Sequence, residues 1–335
     1  MKLLLIKTSS MGDVIHALPA LTDAMQNIPN LEVTWVVEEG FKDIPSWHPA
    51  VKKVIPIALR RWRKSLWKYL RNDEIRQFIK ALRKEQYDVI IDAQGLMKSA
   101  VLTKLARGKR FGFGKGSTKE PVAWAYHCPQ IVARNQHAVK RLRELFAKSL
   151  SYTEPTSIPD YGIANYFNPS AQKTDLLFVH GTTWPTKHWP EAYWIELAKI
   201  VTAQGYKIKI PVSNPIESQR AEHIAAISSQ IEILPKMNLT ALAKIIANVQ
   251  GIVAVDTGLS HLAAALNIPT VTVYGPTDPN KIGTMGQHQI HLKTPFACCG
   301  NRVCTKTNPS QIISPPCYTD ITPDKVWTNL QSLLQ

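Results

Sequence analysis

The chain has 335 residues, 44% of them hydrophobic, with 40 Lys and Arg against 25 Asp and Glu for a formal charge of +15, a size that suits two domains each able to bury its own core. No apolar run approaches the roughly twenty residues of a spanning helix, and the start Met1-Lys-Leu-Leu-Leu-Ile-Lys turns polar too soon for a signal peptide, so a soluble cytoplasmic protein is expected. The charge is uneven: residues 1–160 hold 27 basic against 15 acidic side chains and residues 161–335 hold 13 against 10, with nine basic residues between Lys52 and Arg76 facing only Asp73 and Glu74. Nucleic acid, an anionic membrane surface, a phosphorylated substrate and a merely solvated basic face all fit that balance.

The first half alternates short apolar runs with amphipathic stretches, the pattern of a parallel sheet covered by helices. Strands are expected near 2–7, 32–37, 53–57, 87–92 and 109–112, with helices near 13–27, 73–85, 96–107 and 137–149. At the first strand-to-helix turn, Lys7-Thr-Ser-Ser-Met-Gly-Asp-Val-Ile-His, the residues Ser9, Ser10 and Gly12 let the backbone turn tightly and approach a ligand. A parallel strand presents its carboxyl end to a crevice, and the following helix aims unpaired N–H groups into the same space. Asp13 stands at that entrance, either as a base or hydrogen-bond acceptor for a ligand or as a carboxylate that only caps the helix.

Residues 151–172, with their Pro, Ser and Thr, break the pattern and read as a linker. A second series of strands then begins at Asp175 and continues through Tyr206–Ile210, Ile231–Leu234, Gly251–Val255 and Thr270–Tyr274, separated by helices near 191–203, 215–229, 239–247 and 258–266. The fold class is therefore α/β, two Rossmann-like domains facing a cleft lined by strand carboxyl ends, with boundaries at 1–160 and 161–335. The last helix is expected to pack back on the amino-terminal domain.

Three polar turns should share one edge of the second sheet. Asp256-Thr-Gly-Leu-Ser-His repeats the strand-turn-helix arrangement, and Thr257, Gly258 and Ser260 supply hydroxyl and N–H groups suited to a phosphate, with His261 one turn on. The same residues also suit an N-capped buried helix with a satisfied histidine. In His180-Gly-Thr-Thr-Trp-Pro-Thr-Lys-His-Trp-Pro, Thr182 and Thr183 can bond phosphate oxygens and Lys187 can pair with a diphosphate, while Trp189 packs between helix and sheet. Tyr274-Gly-Pro-Thr-Asp-Pro is the third turn.

The sequence has no Walker A lysine motif and no Gly-x-Gly-x-x-Gly fingerprint, which weakens NTPase and nicotinamide readings. It has no Asp-x-Asp pair to clamp a metal-bound sugar nucleotide, so no metal and no cofactor are expected, and backbone amides, Lys187 and a helix dipole would neutralise a diphosphate. Cys298, Cys299, Cys304 and Cys317 cluster late, but their spacing is not that of common zinc sites, and they are expected as reduced thiols.

Taken together, Lys7-Thr-Ser-Ser-Met-Gly-Asp-Val-Ile-His, Trp35-Val-Val-Glu-Glu-Gly-Phe, Ile57-Ala-Leu-Arg-Arg-Trp-Arg-Lys, Ile91-Asp-Ala-Gln-Gly-Leu, Lys187-His-Trp-Pro, Val255-Asp-Thr-Gly-Leu-Ser-His and Tyr274-Gly-Pro-Thr-Asp-Pro resemble the lipopolysaccharide heptosyltransferases of glycosyltransferase family nine, most closely the type I branch of the inner core. The resemblance spans nearly the whole chain. It implies a glycosyltransferase of the B type that moves L-glycero-D-manno-heptose from ADP-heptose to the Kdo of Kdo2-lipid A with inversion and without a metal. By the same likeness Asp13 matches the catalytic base. Thr182, Thr183 and Lys187 would hold the diphosphate and heptose, Asp256, Thr257, Gly258 and His261 would line the donor pocket, and Glu217 and Met237 match positions that meet the ribose and adenine. Ser9, Ser10 and Gly12 would lie on the acceptor side, and Arg60, Arg61, Arg63 and Lys64 correspond to a basic acceptor-binding segment.

Two stretches depart from the family pattern: Trp184-Pro-Thr stands before the lysine, and the Cys-rich segment after Phe296 looks more like that of the type II branch. The implied partners are the donor, the acceptor and the cytoplasmic face of the inner membrane, and no nucleic acid. The charge of the first half would then meet an acceptor that carries carboxylates and phosphates on a membrane. The alternatives are the type II step on the first heptose, another nucleotide-sugar enzyme such as an epimerase, a phosphoryl transferase, and a basic nucleic-acid-binding protein whose contact surface would be Lys52 to Arg76.

Overall fold

The computed structural model describes residues 1–64, 73–170, 173–294 and 316–335. The chain divides into two compact units, Met1–Tyr166 and Phe167–Gln335, so the division falls inside the Pro-, Ser- and Thr-containing linker.

The first unit holds one parallel sheet of β1 (Lys2–Ile6), β2 (Glu32–Glu38), β3 (Val51–Ile57), β4 (Gln86–Asp92), β5 (Arg107–Phe113) and β6 (Cys128–Gln130), in the order β3-β2-β1-β4-β5-β6. Leu3, Leu4, Leu5 and Ile6 are fully buried, as a central parallel strand covered on both faces requires. One core packs Leu4, Ile6, Val36, Ile55 and Ile57 against Phe78, Leu82 and Leu102 from helices Glu74–Arg83 and Met97–Leu105. On the other side, Asp23 of helix Leu18–Asn27 pairs with Arg143 of helix Ala138–Leu150 at 2.6 Å, both buried. The stretch expected as one helix over 13–27 is two, Met11–Ile15 and Leu18–Asn27, because Pro19 sits in the first turn of the second and favours a fresh start there.

The second unit repeats the plan with β7 (Asp175–Val179), β8 (Lys207–Pro211), β9 (Ile231–Leu234), β10 (Gly251–Val255), β11 (Thr270–Tyr274) and β12 (Gln289–Lys293), in the order β12-β11-β10-β7-β8-β9. Numbered from its own first strand, each sheet has the order 3-2-1-4-5-6. The final helix, Pro323–Leu334, packs on helix Glu191–Ala203 and on β10 and β11 of its own unit, where Val326, Trp327 and Leu330 are buried. Gly251 leaves room for it: a Cβ there would meet Leu334 at 2.9 Å.

Two edge strands, β6 and β12, were not among the expected elements. The three residues Cys-Pro-Gln of β6 are too few and too polar to stand out, and a proline is tolerated there because the strand is at the edge. In β12 the alternation Gln-Ile-His-Leu-Lys is that of a half-exposed strand.

Candidate functional site

In a doubly wound sheet the crevice opens where the strand order reverses, between the first strand and the fourth. In the first unit that point lies between β1 and β4, where Ile6 stands beside Asp92 in the register. Lys7, one residue past β1, and Asp92, the last of β4, thus lie at the ends of adjacent strands, and both are buried. Burial pushes the Lys7 ammonium below its usual range against the opposing pull of Asp13 and Asp92. Burial raises the Asp92 carboxyl, while N–H groups of Gln94 and Gly95 and the Tyr126 hydroxyl, at 2.8 Å, donate to it.

Asp13 lies over this floor. Its Oδ2 accepts the Ser10 backbone N–H at 2.7 Å and the Ser10 hydroxyl at 2.8 Å, and its Oδ1 is 3.9 Å from Lys7 Nζ. The carboxylate therefore caps the helix and still exposes 45% of its side chain, so capping does not withdraw it from solvent. Gln94 Oε1 accepts the N–H groups of Thr8 and Ser9 at 3.0 and 3.1 Å, and Lys98 Nζ donates to Ser9 Oγ at 3.3 Å. Thr8 and Ser9 are thus clamped from β4's side of the sheet, while Ser10 is held by Asp13 and Gly12 is buried in the short helix.

Lys7, Asp92, Gln94, Lys98 and Tyr126 were not assigned a place in the site from sequence. The available signal was Ile91-Asp-Ala-Gln-Gly, a second polar turn after an apolar strand, which only the strand order sets beside the first.

The basic segment is divided in its engagements. Arg61 makes hydrogen bonds to both oxygens of Glu39, at 3.1 and 3.0 Å, and to both oxygens of Glu74, at 3.1 and 2.6 Å. The guanidinium holds the Glu74 carboxyl below its usual range. Two carboxylates thus already meet the Arg61 charge that was expected to await an anion. Arg60 lays its guanidinium 5.2 Å from the Phe41 ring centroid, and its N–H donates to Glu38. Arg63 and Lys64 are exposed, and Trp62, just before them, is buried edge-on against Phe78 at 5.7 Å.

In the second unit the equivalent reversal lies between β7 and β10. Asp256, just past β10, is buried and receives Lys187 Nζ at 2.6 Å and the Thr277 hydroxyl at 2.6 Å on the same oxygen. His261 Nε2 is 4.0 Å from its other oxygen. The Thr182 hydroxyl donates to the Asp256 carbonyl at 3.1 Å, and Lys187 Nζ stands 4.8 Å from the Trp184 ring centroid. Thr183 is exposed. Helix Gly258–Ala265 begins at Thr257 and opens at this edge. The three polar turns expected to share an edge therefore meet in hydrogen bonds: Lys187 and Thr182 from the first, Asp256 from the second, Thr277 from the third.

Glu217 belongs to the same edge. It lies in the first turn of helix Pro215–Ala225, after β8, with Oε2 accepting the Ser213 N–H and hydroxyl at 2.8 and 2.7 Å. A Cβ on Gly181 would meet its carboxylate at 2.6 Å, so the glycine lets the β7 turn and Glu217 touch. Met237 is half-buried in the turn after β9. A groove of about 540 Å³ opens beside them, lined by Val212, Ser213, Ser218, Glu222 and Lys236 among others.

His180 is fully buried at the end of β7 and pressed edge-on to Trp194. Burial brings its pKa down to about 4, with Arg220 adding to the shift. Trp189 packs as expected, buried against Trp194 with its indole N–H on the Ile321 carbonyl at 3.0 Å. Of the late cysteines, Cys298, Cys299 and Cys304 lie outside the described residues, and Cys317 is buried in the second unit's core.

Two parallel sheets of identical strand order, each with charged turns at its switch point, define an α/β enzyme of the glycosyltransferase B architecture. The family model described as glycosyltransferase family 9 (heptosyltransferase) matches residues 75–311. Lipopolysaccharide heptosyltransferase 1 of Pseudomonas aeruginosa is 46% identical, over 100% of this chain and 98% of its own length. The structure of E. coli heptosyltransferase WaaC with ADP superposes with a TM-score of 0.89 at 44% identity, covering 99% of this chain and 100% of that one. The same enzyme with ADP-2-deoxy-2-fluoro heptose gives 0.87 at 43% identity, covering 99% of each. The chain belongs to glycosyltransferase family 9, the heptosyltransferases, and is a glycosyltransferase.

Proposed function

We propose that this enzyme transfers L-glycero-D-manno-heptose from ADP-heptose to the Kdo of Kdo2-lipid A, the first heptose of the lipopolysaccharide inner core, with inversion and without a metal ion or cofactor. The observation that carries the reading is the division of chemistry between two equivalent switch points: a solvent-facing carboxylate over a buried ammonium in one unit, and an ammonium at a helix amino end in the other. An inverting transfer needs those two things, a base for the acceptor hydroxyl and charge stabilisation for the departing ADP.

Asp13 is the base. Lys7 Nζ stands 3.9 Å away, and Ser10 orients the carboxylate. Ser9, Ser10 and Gly12 form the acceptor side of the turn, and Arg60, Arg63 and Lys64 meet acceptor phosphates and carboxylates, with Arg61 bracing the segment through Glu39 and Glu74.

On the donor side, Lys187 takes the diphosphate, held in place by Asp256 until the ligand arrives. Thr182, Thr183, Thr257 and the N–H groups at Gly258 add hydrogen bonds, and His261 supports Asp256. Glu217 accepts the ribose hydroxyls and Met237 packs on the adenine. The solved relative bound to an ADP-heptose analogue supports this donor. The site of action is the cytoplasmic face of the inner membrane, reached by peripheral association, and nucleic acid is not a partner.

Labelled ADP-heptose tests the whole reading. Incubated with Kdo2-lipid A, the enzyme should transfer label in EDTA as well as in its absence. Transfer only to the mono-heptosylated acceptor would assign the type II step, and turnover lost in EDTA and restored by magnesium or manganese would remove the metal-free mechanism.

A further inference from the structure

Helix Met97–Leu105 turns one face to the core through Ser99, Ala100, Leu102 and Thr103, and the other to solvent. That outer face is half apolar, and its charges are of one sign. It carries Met97, Lys98, Val101 and Lys104, with Met97 43% and Val101 50% exposed. It continues onto Trp124, 52% exposed in the turn Ala123–Ala125, whose ring lies 5.0 Å from Lys104 Nζ. The turn is pinned to the helix by Ala100, Val122, Ala125 and Tyr126, which form a small buried cluster. An exposed tryptophan beside an exposed valine and methionine does not help this unit fold; it needs another reason.

The charge along this stretch of chain is nearly all of one sign. Between Met97 and Ala125 the sequence has Lys98, Lys104, Arg107, Lys109, Arg110, Lys115 and Lys119 against Glu120 alone, and the Glu120 carboxylate already accepts the Met97 N–H at 2.6 Å. Apolar side chains with an aromatic ring among lysines match the boundary layer of a bilayer, where rings sit at headgroup level and lysines meet anionic lipid. No helix among the described residues is long and apolar enough to cross a membrane. The face also begins at the acceptor site: Lys98, in the first turn, reaches Ser9 Oγ at 3.3 Å beside the turn that carries Asp13.

We propose that Met97, Val101, Lys104 and Trp124 form the surface by which the enzyme docks on an anionic phospholipid bilayer, the helix running from the membrane contact to the catalytic turn. This rests on the reading that the acceptor is a lipid, whose acyl chains stay in the bilayer while its sugar reaches Asp13. Partial insertion of Trp124 supplies apolar burial, and the lysines supply a salt-sensitive attraction.

The test uses the full-length enzyme, co-sedimented with phosphatidylcholine vesicles with and without phosphatidylglycerol. The wild type should bind only the anionic vesicles and release as salt rises. The double variant Val101→Glu/Lys104→Glu should lower binding by about tenfold or more, and Trp124→Ala by less. Because these side chains are exposed, the variants should keep their melting temperature and their turnover of a water-soluble Kdo acceptor without acyl chains. Their KM should rise only for acceptor presented in anionic vesicles. Vesicle binding equal to wild type in both variants would overturn the proposal, as would its loss on neutralising Arg63 and Lys64 instead. If the enzyme turns over neither acceptor yet these variants lose the vesicles, the heptose-transfer reading fails and the docking surface stands.

Discussion

In the first unit the strand ends at the switch point carry Lys7, just past β1, and Asp92, the last of β4, both buried and both pushed by burial toward their neutral forms, with Asp13 above them. In the second unit His180 and Asp256 directly follow the equivalent strands, and the cation comes from the short helical turn Pro185–Lys187 to meet the buried carboxylate at 2.6 Å. One arrangement leaves a carboxylate facing solvent beside a partly desolvated ammonium, which suits removal of a proton. The other leaves an ammonium tethered at a helix start, which suits holding an anion. Identical strand order places both turns; the side chains there give them different charge arrangements.

The largest effect expected from breaking this division is at Asp13. Asp13→Ala should lower kcat by about 10²–10⁴-fold while binding of ADP, measured by calorimetry, stays as in the wild type. Near-normal turnover would remove the base from the first unit. Next in size is Lys187→Ala, which should cost about 10²–10³-fold in kcat/KM and weaken ADP binding, with no change in KM for the acceptor; an acceptor effect alone would show that the two sites do not divide the chemistry.

The basic segment should give smaller changes that sharpen the contrast within the first unit. Arg63→Ala and Lys64→Ala should raise KM for the lipid acceptor and leave KM for ADP-heptose unchanged. Arg61→Ala should instead lower the melting temperature, since it removes hydrogen bonds to Glu39 and Glu74. If Arg61→Ala raised the acceptor KM at unchanged melting temperature, its ion pairs would have to open for the ligand.

The mildest test is of pH. Each unit buries one histidine whose pKa burial lowers from 6.5 to about 4, His48 in the first and His180 in the second. A depressed folded-state pKa leaves the unfolded chain holding more protons below its own pKa, so stability is full above about 6.5 and is lost as pH falls toward about 4. Each histidine should contribute a loss of about 1.4 kcal/mol per pH unit in that window, read by denaturant unfolding at several pH values. His180→Leu should flatten the slope for the second unit, whereas His48, hydrogen-bonded to Thr22 Oγ1 at 3.0 Å and receiving the Ala50 N–H at 3.2 Å, should not tolerate the same change as easily.

Much of this molecule is written locally. Runs such as Lys2–Ile6 and Gly251–Val255 are apolar throughout because a central parallel strand is covered on both faces, so they can be read without knowing their neighbours. The turns at Ser9–Asp13, Thr182–Lys187 and Asp256–His261 follow such strands directly, and strand-turn-helix geometry alone makes them candidate sites. Edge strands β6 and β12 were hidden because an edge demands little of its residues, and the break before Leu18 because a proline in a first turn looks like helix interior.

What the sequence by itself determined, then, was two α/β units, the polar turns on their strands and the residues of a heptosyltransferase. Only the tertiary structure decided which turns of the first unit share an edge. Sheet order sets β4 beside β1, bringing Asp92, Gln94 and Lys98 to the Asp13 turn, and packing gives Arg61 to Glu39 and Glu74 while leaving Trp124 outside. The reason is physical: a strand's apolar pattern reports that it is buried but not against what, and the partner of a charge is set by distances between residues far apart in the chain.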